Sequence, residues 1–423
     1  MTSVILSLMV MAMLTLAVAT DQQVTAPGHF LVIGHRGDSF TRPEESSSSY
    51  QSAGSVGADF LECDLCSTAD GHLVLVHDCE LSGVSDIESG PLASRLQYNA
   101  YWNRTGYFTE QFTLAELRSV RLQQRLAARP QGFNGLDPLL TLEEFLRLAG
   151  AVGQTRGRPV GVYLETKHPQ HFRGLGLPLE EKLVSALDGY YGRAARASCS
   201  GSTAEASFQQ FTAGSAAVRC LVLLQSFEPS SLQRLQTLAP EYPRVLLLDT
   251  PESIVPDDQL LLPAEQQRTY GWYLSPEGIA TTRSFANALG PFYGSLSGEV
   301  VARAHTNHLL VHPYTLRPEA NFLPAGMTFS AALASWLEMG VDGVFTDSPG
   351  LVAAAISTRP PTPSSSLPPD SSFDTMLMLL ANLLVAGLIL LIILYIVHLL
   401  KNAAAHNYAV IAPQHTPREE LDP

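Results

Sequence analysis

The chain is poor in basic charge. Among its 423 residues, 26 lysines and arginines face 40 aspartates and glutamates, a formal net charge of −14. No basic cluster interrupts that balance, so the positive stripe with which proteins hold nucleic acid is missing. Cysteine is scarce too: there are five, which leaves at least one without a partner in the chain. Acidic groups are absent from the apolar residues 4–19, and Asp, Glu, Lys and Arg are all absent from residues 375–400. These two runs read as targeting and membrane elements rather than as parts of a soluble domain.

The first run ends in Ala17-Val18-Ala19, a small-x-small cleavage site, and residues 1–20 read as a signal peptide, although no Lys or Arg opens it. The second is long enough to span a bilayer with some tilt. Lys401 follows it while Asp370 and Asp374 precede it, which places a tail of residues 401–423 in the cytoplasm. A polar tail after the apolar run also argues against a lipid-anchor signal. Residues 357–374, which include Pro360-Pro361-Thr362-Pro363 and Pro368-Pro369, read as an extended stalk open to O-glycosylation. The expectation is a single-pass type I membrane protein of the plasma membrane or of endosomes and lysosomes, with residues 29–356 forming an extracellular or lumenal domain. In that compartment Asn103-Arg104-Thr105 is a glycosylation acceptor. A disulfide between Cys199 and Cys220 is the preferred pairing, because the two flank a Ser/Thr/Ala/Gly-rich excursion. Cys63 is expected in apolar packing, and Cys66 and Cys79 stay unassigned. Tyr408-Ala409-Val410-Ile411 fits an endocytic signal read by an adaptor, with a plain unstructured tail as the alternative.

The chemistry is concentrated between residues 34 and 78. Gly34-His35-Arg36-Gly37, Pro43-Glu44-Glu45, Glu62-Cys63-Asp64 and His77-Asp78 occur in that order, three of them after apolar strand-like runs. Side chains alternate faces along a strand, so Glu62 and Asp64 share one face, as do Leu73, Leu75 and His77. Further on, the strand-like run 160–167 ends with Glu165 and Lys167 on one face. Oxygen donors without sulfur on that face suit Ca²⁺ or Mg²⁺ rather than zinc. Three carboxylates and a divalent cation leave about one negative charge, and Arg36 with Lys167 turns that to about one positive. A phosphodiester anion would neutralise it.

These residues resemble the glycerophosphodiester phosphodiesterase family. The similarity lies in the HRG opening, the Pro-Glu turn, Glu-x-Asp, His-Asp after the Thr68-Ala69-Asp70-Gly71 turn, and Glu-x-Lys. Leu224-Gln225-Ser226-Phe227, the run from Val311 to Arg317 and the run from Gly343 to Pro349 extend it, most closely toward the periplasmic bacterial type, over roughly residues 29 to 356. Glu45-Ser46 departs from the family, where Asn or His followed by Thr is usual. The resemblance implies hydrolysis of glycerophosphodiesters to glycerol 3-phosphate and an alcohol. Glu62, Asp64 and Glu165 would hold the metal, Arg36 and Lys167 the phosphate, and His35 and His77 would act as general acid and base. Glu44, Asp78 and Asp347 would orient neighbours. His312 and Tyr314 either line the pocket or pack in the core, whereas His72, His168 and His171 read as solvated loop residues.

The fold implied is a TIM (β/α)₈ barrel with an inserted small subdomain. Strand-like runs at 30–34, 59–65, 73–77, 160–165, 220–226, 244–249, 308–312 and 342–346 alternate for the most part with helix-like stretches at 46–56, 140–152, 178–191, 229–238 and 329–339. The run at 73–77 follows a tight turn and should be an antiparallel hairpin partner. The insertion, about residues 82–139, carries Tyr98, Tyr101, Trp102, Tyr107 and Phe108 and is read either as a cover that touches substrate or as a shield for the barrel mouth. Two other functions stay open at this point: a related phospholipase acting on lysophospholipid or phosphoinositide-type substrates, and a catalytically dead barrel serving as a receptor ectodomain.

Overall fold

The computed structural model describes residues 30–196 and 221–358, with a few helical residues between 391 and 396. The chain divides into two units, Met1–Arg359 and Pro360–Pro423. The first unit is built on eight parallel strands: β1 (Leu31–Gly34), β2 (Phe60–Ser67), β6 (Gly161–Thr166), β7 (Val222–Ser226), β8 (Arg244–Leu248), β9 (Ala288–Pro291), β10 (Leu310–Val311) and β11 (Gly343–Thr346). Their order around the sheet is β10-β9-β8-β7-β6-β2-β1-β11. Between β10 and β11 the ladder thins to single bonds, Asp342 N–H to Val311 O at 3.0 Å and Phe345 N–H to Pro313 O at 3.1 Å, so the barrel is nearly closed.

Period-two alternation explains why this sequence closes on itself. Leu31, Ile33, Phe60, Tyr163, Leu223, Val245 and Phe345 fill the interior, while Val32, Leu61, Val162, Leu164 and Leu246 face the surrounding helices. Gly161 is required where it stands, because a Cβ there would sit 2.3 Å from the Phe60 ring. The helices end on local signals. Ser46 caps helix Ser47–Val56, and the Thr141/Glu144 capping box opens Leu142–Arg156, which Gly157 ends in a left-handed conformation.

The expected hairpin is present as β3 (Leu73–Leu75), antiparallel to β2 with Cys66 opposite Val74. One stave escaped the sequence reading. Ala288-Leu289-Gly290-Pro291 carries the two residues that ordinarily break strands, yet it lies buried between β8 and β10. The insertion holds a small hairpin of β4 (Gln97–Asn99) and β5 (Arg104–Gly106). Cys66 and Cys79, unassigned from sequence, form a disulfide, and Cys63 is free and buried. Cys199 and Cys220, residues 1–20 and 401–423, and nearly all of 357–374 and 375–400 lie outside the described residues. Among the described residues no helix is long and apolar enough to cross a membrane.

The disulfide spans 13 positions, and replacing both cysteines by alanine should cost about 3 kcal/mol in the chain-entropy picture. Thermal melts of the double variant should show a clear drop in Tm; an unchanged Tm would contradict a stabilising role.

Candidate active site

The interior face of the barrel changes chemistry as it rises. On β2, Phe60 is followed two residues later by Glu62 and then Asp64, and on β6 Tyr163 is followed by Glu165. Register places Glu62 beside Tyr163 and Asp64 beside Glu165. An apolar plug thus gives way to carboxylates at the C-terminal ends of the strands, the rim where barrel active sites form. One carboxylate oxygen from each of Glu62, Asp64 and Glu165 lies within 4.8 Å of the others.

Two cations hold this cluster. Arg36, at the end of β1 with φ 56°, donates its backbone N–H to Glu62 Oε2 at 2.8 Å. Its guanidinium reaches Glu44 Oε1 at 2.9 Å and Asp64 Oδ2 at 3.0 Å. Lys167 Nζ lies 3.0 Å from Glu165 Oε1 and 3.9 Å from Asp64 Oδ1. Gly37 permits the turn beyond Arg36, for a Cβ there would stand 2.4 Å from Ser49 Oγ.

The carboxylates do not share charge evenly. Against its burial, Lys167 and Arg36 hold Asp64 far below the usual carboxylate range. Burial pushes Glu62 up, with Asp64 adding to it. Glu165 rises to about 8, because burial and the Asp64 charge outweigh Lys167. Asp64 Oδ2 and Glu165 Oε1 meet the charged groups of Arg36 and Lys167 at 3.0 Å but outside hydrogen-bond geometry. Three converging buried carboxylates, an all-oxygen donor set, fit a hard divalent cation.

Each histidine predicted to act in catalysis is tied at Nδ1 to a carboxylate. His35 Nδ1 lies 2.6 Å from Asp347 Oδ1, and Asp347 is itself held by Arg129 at 2.7 Å and Arg317 at 3.0 Å. His77 Nδ1 lies 2.5 Å from Asp78 Oδ1. Both contacts leave Nε2 for other partners. Burial and the nearby Arg36 lower each imidazole to about 4. Glu44, Asp78 and Asp347 therefore contact Arg36, His77 and His35 respectively.

His77, Glu165 and Lys167 line a cavity of about 360 Å³ together with Phe227, Glu228, Asp249, Asp257, Tyr270 and Tyr314. Tyr314 thus faces the cavity, whereas His312 is fully buried with Nδ1 3.2 Å from Tyr163 Oη. His72 is half exposed, as expected. The reading of His171 as a solvated loop residue is corrected. It stacks on Tyr101 at 3.9 Å and meets Glu110 at 3.2 Å, because the insertion folds back over it. His168 likewise packs against Trp102, and Tyr101 Oη donates to Asp257 Oδ2 at 2.7 Å.

Sequence reasoning assigned no role to several residues of the site. Gln225 donates to Glu62 Oε1 at 2.9 Å; it sat in a quoted segment that could have flagged it. Arg125 pairs with Glu44 at 2.6 Å and Arg129 with Asp347, but both come from the insertion, where no motif marked them. Glu45 is buried at φ 61°, where it accepts the Asp64 N–H at 3.0 Å and the Tyr50 hydroxyl. Its departure from the usual pattern was the available signal.

A family model described as the glycerophosphoryl diester phosphodiesterase family matches residues 35–351. The chain belongs to that family. Its likeness to glycerophosphodiester phosphodiesterase GDPD6 of Arabidopsis thaliana is 30% identity over 352 residues, covering 78% of this chain and 87% of that protein. A glycerophosphodiester phosphodiesterase of Bacillus subtilis is 28% identical over 337 residues, covering 79% and 88%. Among solved structures, a protein of Silicibacter pomeroyi named as a putative glycerophosphoryl diester phosphodiesterase superposes with TM-score 0.54 at 20% identity, covering 78% of this chain and 95% of that one. An Oleispira antarctica phosphodiesterase in complex with the product sn-glycerol-3-phosphate gives 0.50 at 18%, covering 78% and 97%. These two likenesses show the phosphodiesterase family's barrel fold.

The elevated Glu165 sets a pH dependence. A carboxyl at about 8 in the folded chain and near 4.3 unfolded binds its proton more tightly when folded, so its contribution is complete below the unfolded value and is lost as pH rises through 8. In EDTA, Tm should fall between pH 6 and pH 9; Ca²⁺ or Mg²⁺ should reduce that fall by replacing the proton. A slope unaffected by either cation would contradict metal binding by this cluster.

Proposed function

We propose that the protein hydrolyses glycerophosphodiesters to glycerol 3-phosphate and an alcohol, with one divalent cation bound. The observation that carries this reading is the convergence of Glu62, Asp64 and Glu165 beside Arg36 and Lys167 in a chain of the phosphodiesterase family. Glu62, Asp64 and Glu165 would hold Ca²⁺ or Mg²⁺, which would supply Lewis-acid polarisation of a phosphoryl oxygen.

The chain's own groups account for the rest. Arg36 and Lys167 bind the remaining phosphate oxygens, already oriented by Glu44 and Glu165, and stabilise charge that builds up at phosphorus. His35 and His77, held at about 4 in the free chain by burial and Arg36, serve as general base and general acid. One, neutral, takes the proton of the attacking oxygen at Nε2. The other takes up a proton at Nε2 from solvent when the substrate anion offsets the repulsion of Arg36 and Lys167, and delivers that proton to the leaving alkoxide. Asp347 and Asp78 fix each ring at Nδ1, so that Nε2 does the work. The phospholipase and dead-barrel alternatives find no support in the relatives, and all seven polar groups of the cup are present.

With purified full-length protein and glycerophosphocholine, glycerol 3-phosphate should appear in Ca²⁺ or Mg²⁺ and vanish with excess EDTA. His35→Ala and His77→Ala should each reduce kcat by about 100-fold or more while melting like wild type. Near-normal turnover in either variant refutes its role.

The proposed setting is a type I membrane protein with the barrel outside the cytosol. The uncharged run 375–400 and the Cys66–Cys79 bond, which suits an oxidising compartment, support it. The expressed chain should resist alkaline carbonate extraction, and deletion of residues 375–400 should release it; extraction of the intact chain would contradict anchoring.

A further inference from the structure

The last stretch of the insertion, residues 124–129, runs back to the rim. Three of its side chains bond to the loop after β1 or to the residue after β11. Gln124 Nε2 donates to the carbonyls of Ser39 and Arg42 at 2.9 and 3.0 Å. Arg125 Nε donates to Glu44 Oε2 at 2.6 Å. Arg129 reaches furthest.

The Arg129 side chain is 1% exposed. Its guanidinium donates from Nε to Glu319 Oε1 at 2.6 Å, from Nη1 to the Ser39 carbonyl at 3.1 Å and from Nη2 to Asp347 Oδ2 at 2.7 Å. The Phe40 ring centroid lies 5.5 Å away. A buried guanidinium is costly unless its edges find acceptors. Here they come from three separate segments of the barrel: the loop after β1, the connection between β10 and β11, and the end of β11.

Asp347 divides its two oxygens. Oδ1 meets His35 Nδ1 at 2.6 Å, and Oδ2 accepts from Arg129. Arg317 Nε also lies 3.0 Å from Oδ2, but outside hydrogen-bond geometry. A carboxylate pinned at both oxygens keeps its plane, so the imidazole bonded to it holds one orientation and points Nε2 in one direction. Ser39 donates its hydroxyl to the His35 carbonyl at 2.9 Å. Arg129 therefore grips the ring through Asp347 and the backbone through Ser39. Charge follows the same path. Although burial opposes it, Asp347 is held far below the usual carboxylate range by His35, Arg317 and Arg129. The Arg129 cation draws on the same negative charge that would steady a protonated His35.

We propose that Arg129, supplied by the insertion, is a positioning residue for His35, acting on the imidazole through Asp347 and touching no reacting atom. The assignment rests on the phosphodiesterase reading in which His35 is general acid or base. It makes the insertion part of the catalytic support as well as a cover.

The test uses the full-length protein and glycerophosphocholine at fixed Ca²⁺ or Mg²⁺. Arg129→Gln keeps a donor beside Asp347 and removes the charge. It should lower kcat by about 10–100-fold, the cost typical of losing a group that orients a working histidine, with KM little changed. It should also move one inflection of the kcat/KM profile to higher pH, because the imidazolium loses a nearby cation. Arg129→Lys should recover part of the lost kcat and return the inflection toward its wild-type position. In an Asp347→Asn background, Arg129→Gln should cost no more than about twofold further, since both changes cut one connection. Losses that multiply in the double variant, or a fall in kcat with the pH profile unmoved, would overturn the proposal and leave Arg129 a structural ion-pair residue. Should Arg129→Gln melt below the assay temperature, Arg129→Lys in the two backgrounds decides by the same comparison. If wild type hydrolyses no glycerophosphodiester, the phosphodiesterase reading fails instead, and histidine-ring NMR still decides the contact: a His35 titration that Arg129→Gln shifts upward is expected, and an unmoved one overturns the proposal.

Discussion

The active rim depends on the contact of one arginine with three acids. Arg36 meets Glu62 through its backbone N–H, and Glu44 and Asp64 through its guanidinium, all inside a shell where each of these residues is at most 5% exposed. Breaking one partner out of a buried ion pair typically costs about 3–5 kcal/mol, because the remaining charge keeps its desolvation penalty. Here one residue neutralises acids contributed by β2 and by the turn after β1. Arg36 makes these contacts from the left-handed region, at φ 56°, which L side chains rarely adopt.

The same crowding sets this cluster apart from a plain ion-pair network. Glu45, Glu62 and Glu165 all have raised proton affinity while Asp64 has lost its own. Proton affinities perturbed by burial together with specific charge partners gather at functional sites. Burial sets the sign for the histidines as well, which stay neutral although each touches a carboxylate.

Much of this was legible in the sequence because strand alternation is a strict rule. Glu62 and Asp64 had to share a face, and so did Glu165 and Lys167, so the acidic cup followed from spacing once three runs were taken as strands. The barrel was legible for the same reason, except at β9, where glycine and proline erase the pattern and only pairing with β8 and β10 makes a strand. Contacts from the insertion were not legible. Arg125, Arg129, Tyr101 and Trp102 reach the rim through loops whose paths no periodicity encodes, and His171 was misjudged because its burial is created by Tyr101, 70 positions earlier in the chain. The Cys66–Cys79 pairing was hidden too, since neither spacing nor composition selected it among five cysteines.

That sulfur bridge joins the strand bearing Glu62 and Asp64 to the loop bearing His77 in a covalent ring. The acids on β2 and one of the two imidazoles are thus fastened to each other through the backbone ring as well as through the sheet. With the bond reduced, the loop beyond His77 would be retained by the packing of Leu81, Val84 and Ile87 in the core and by hydrogen bonds such as Leu81 N–H to Tyr107 O at 3.0 Å. The bond thus fixes the spacing between the acid-bearing end of β2 and the residues that follow His77.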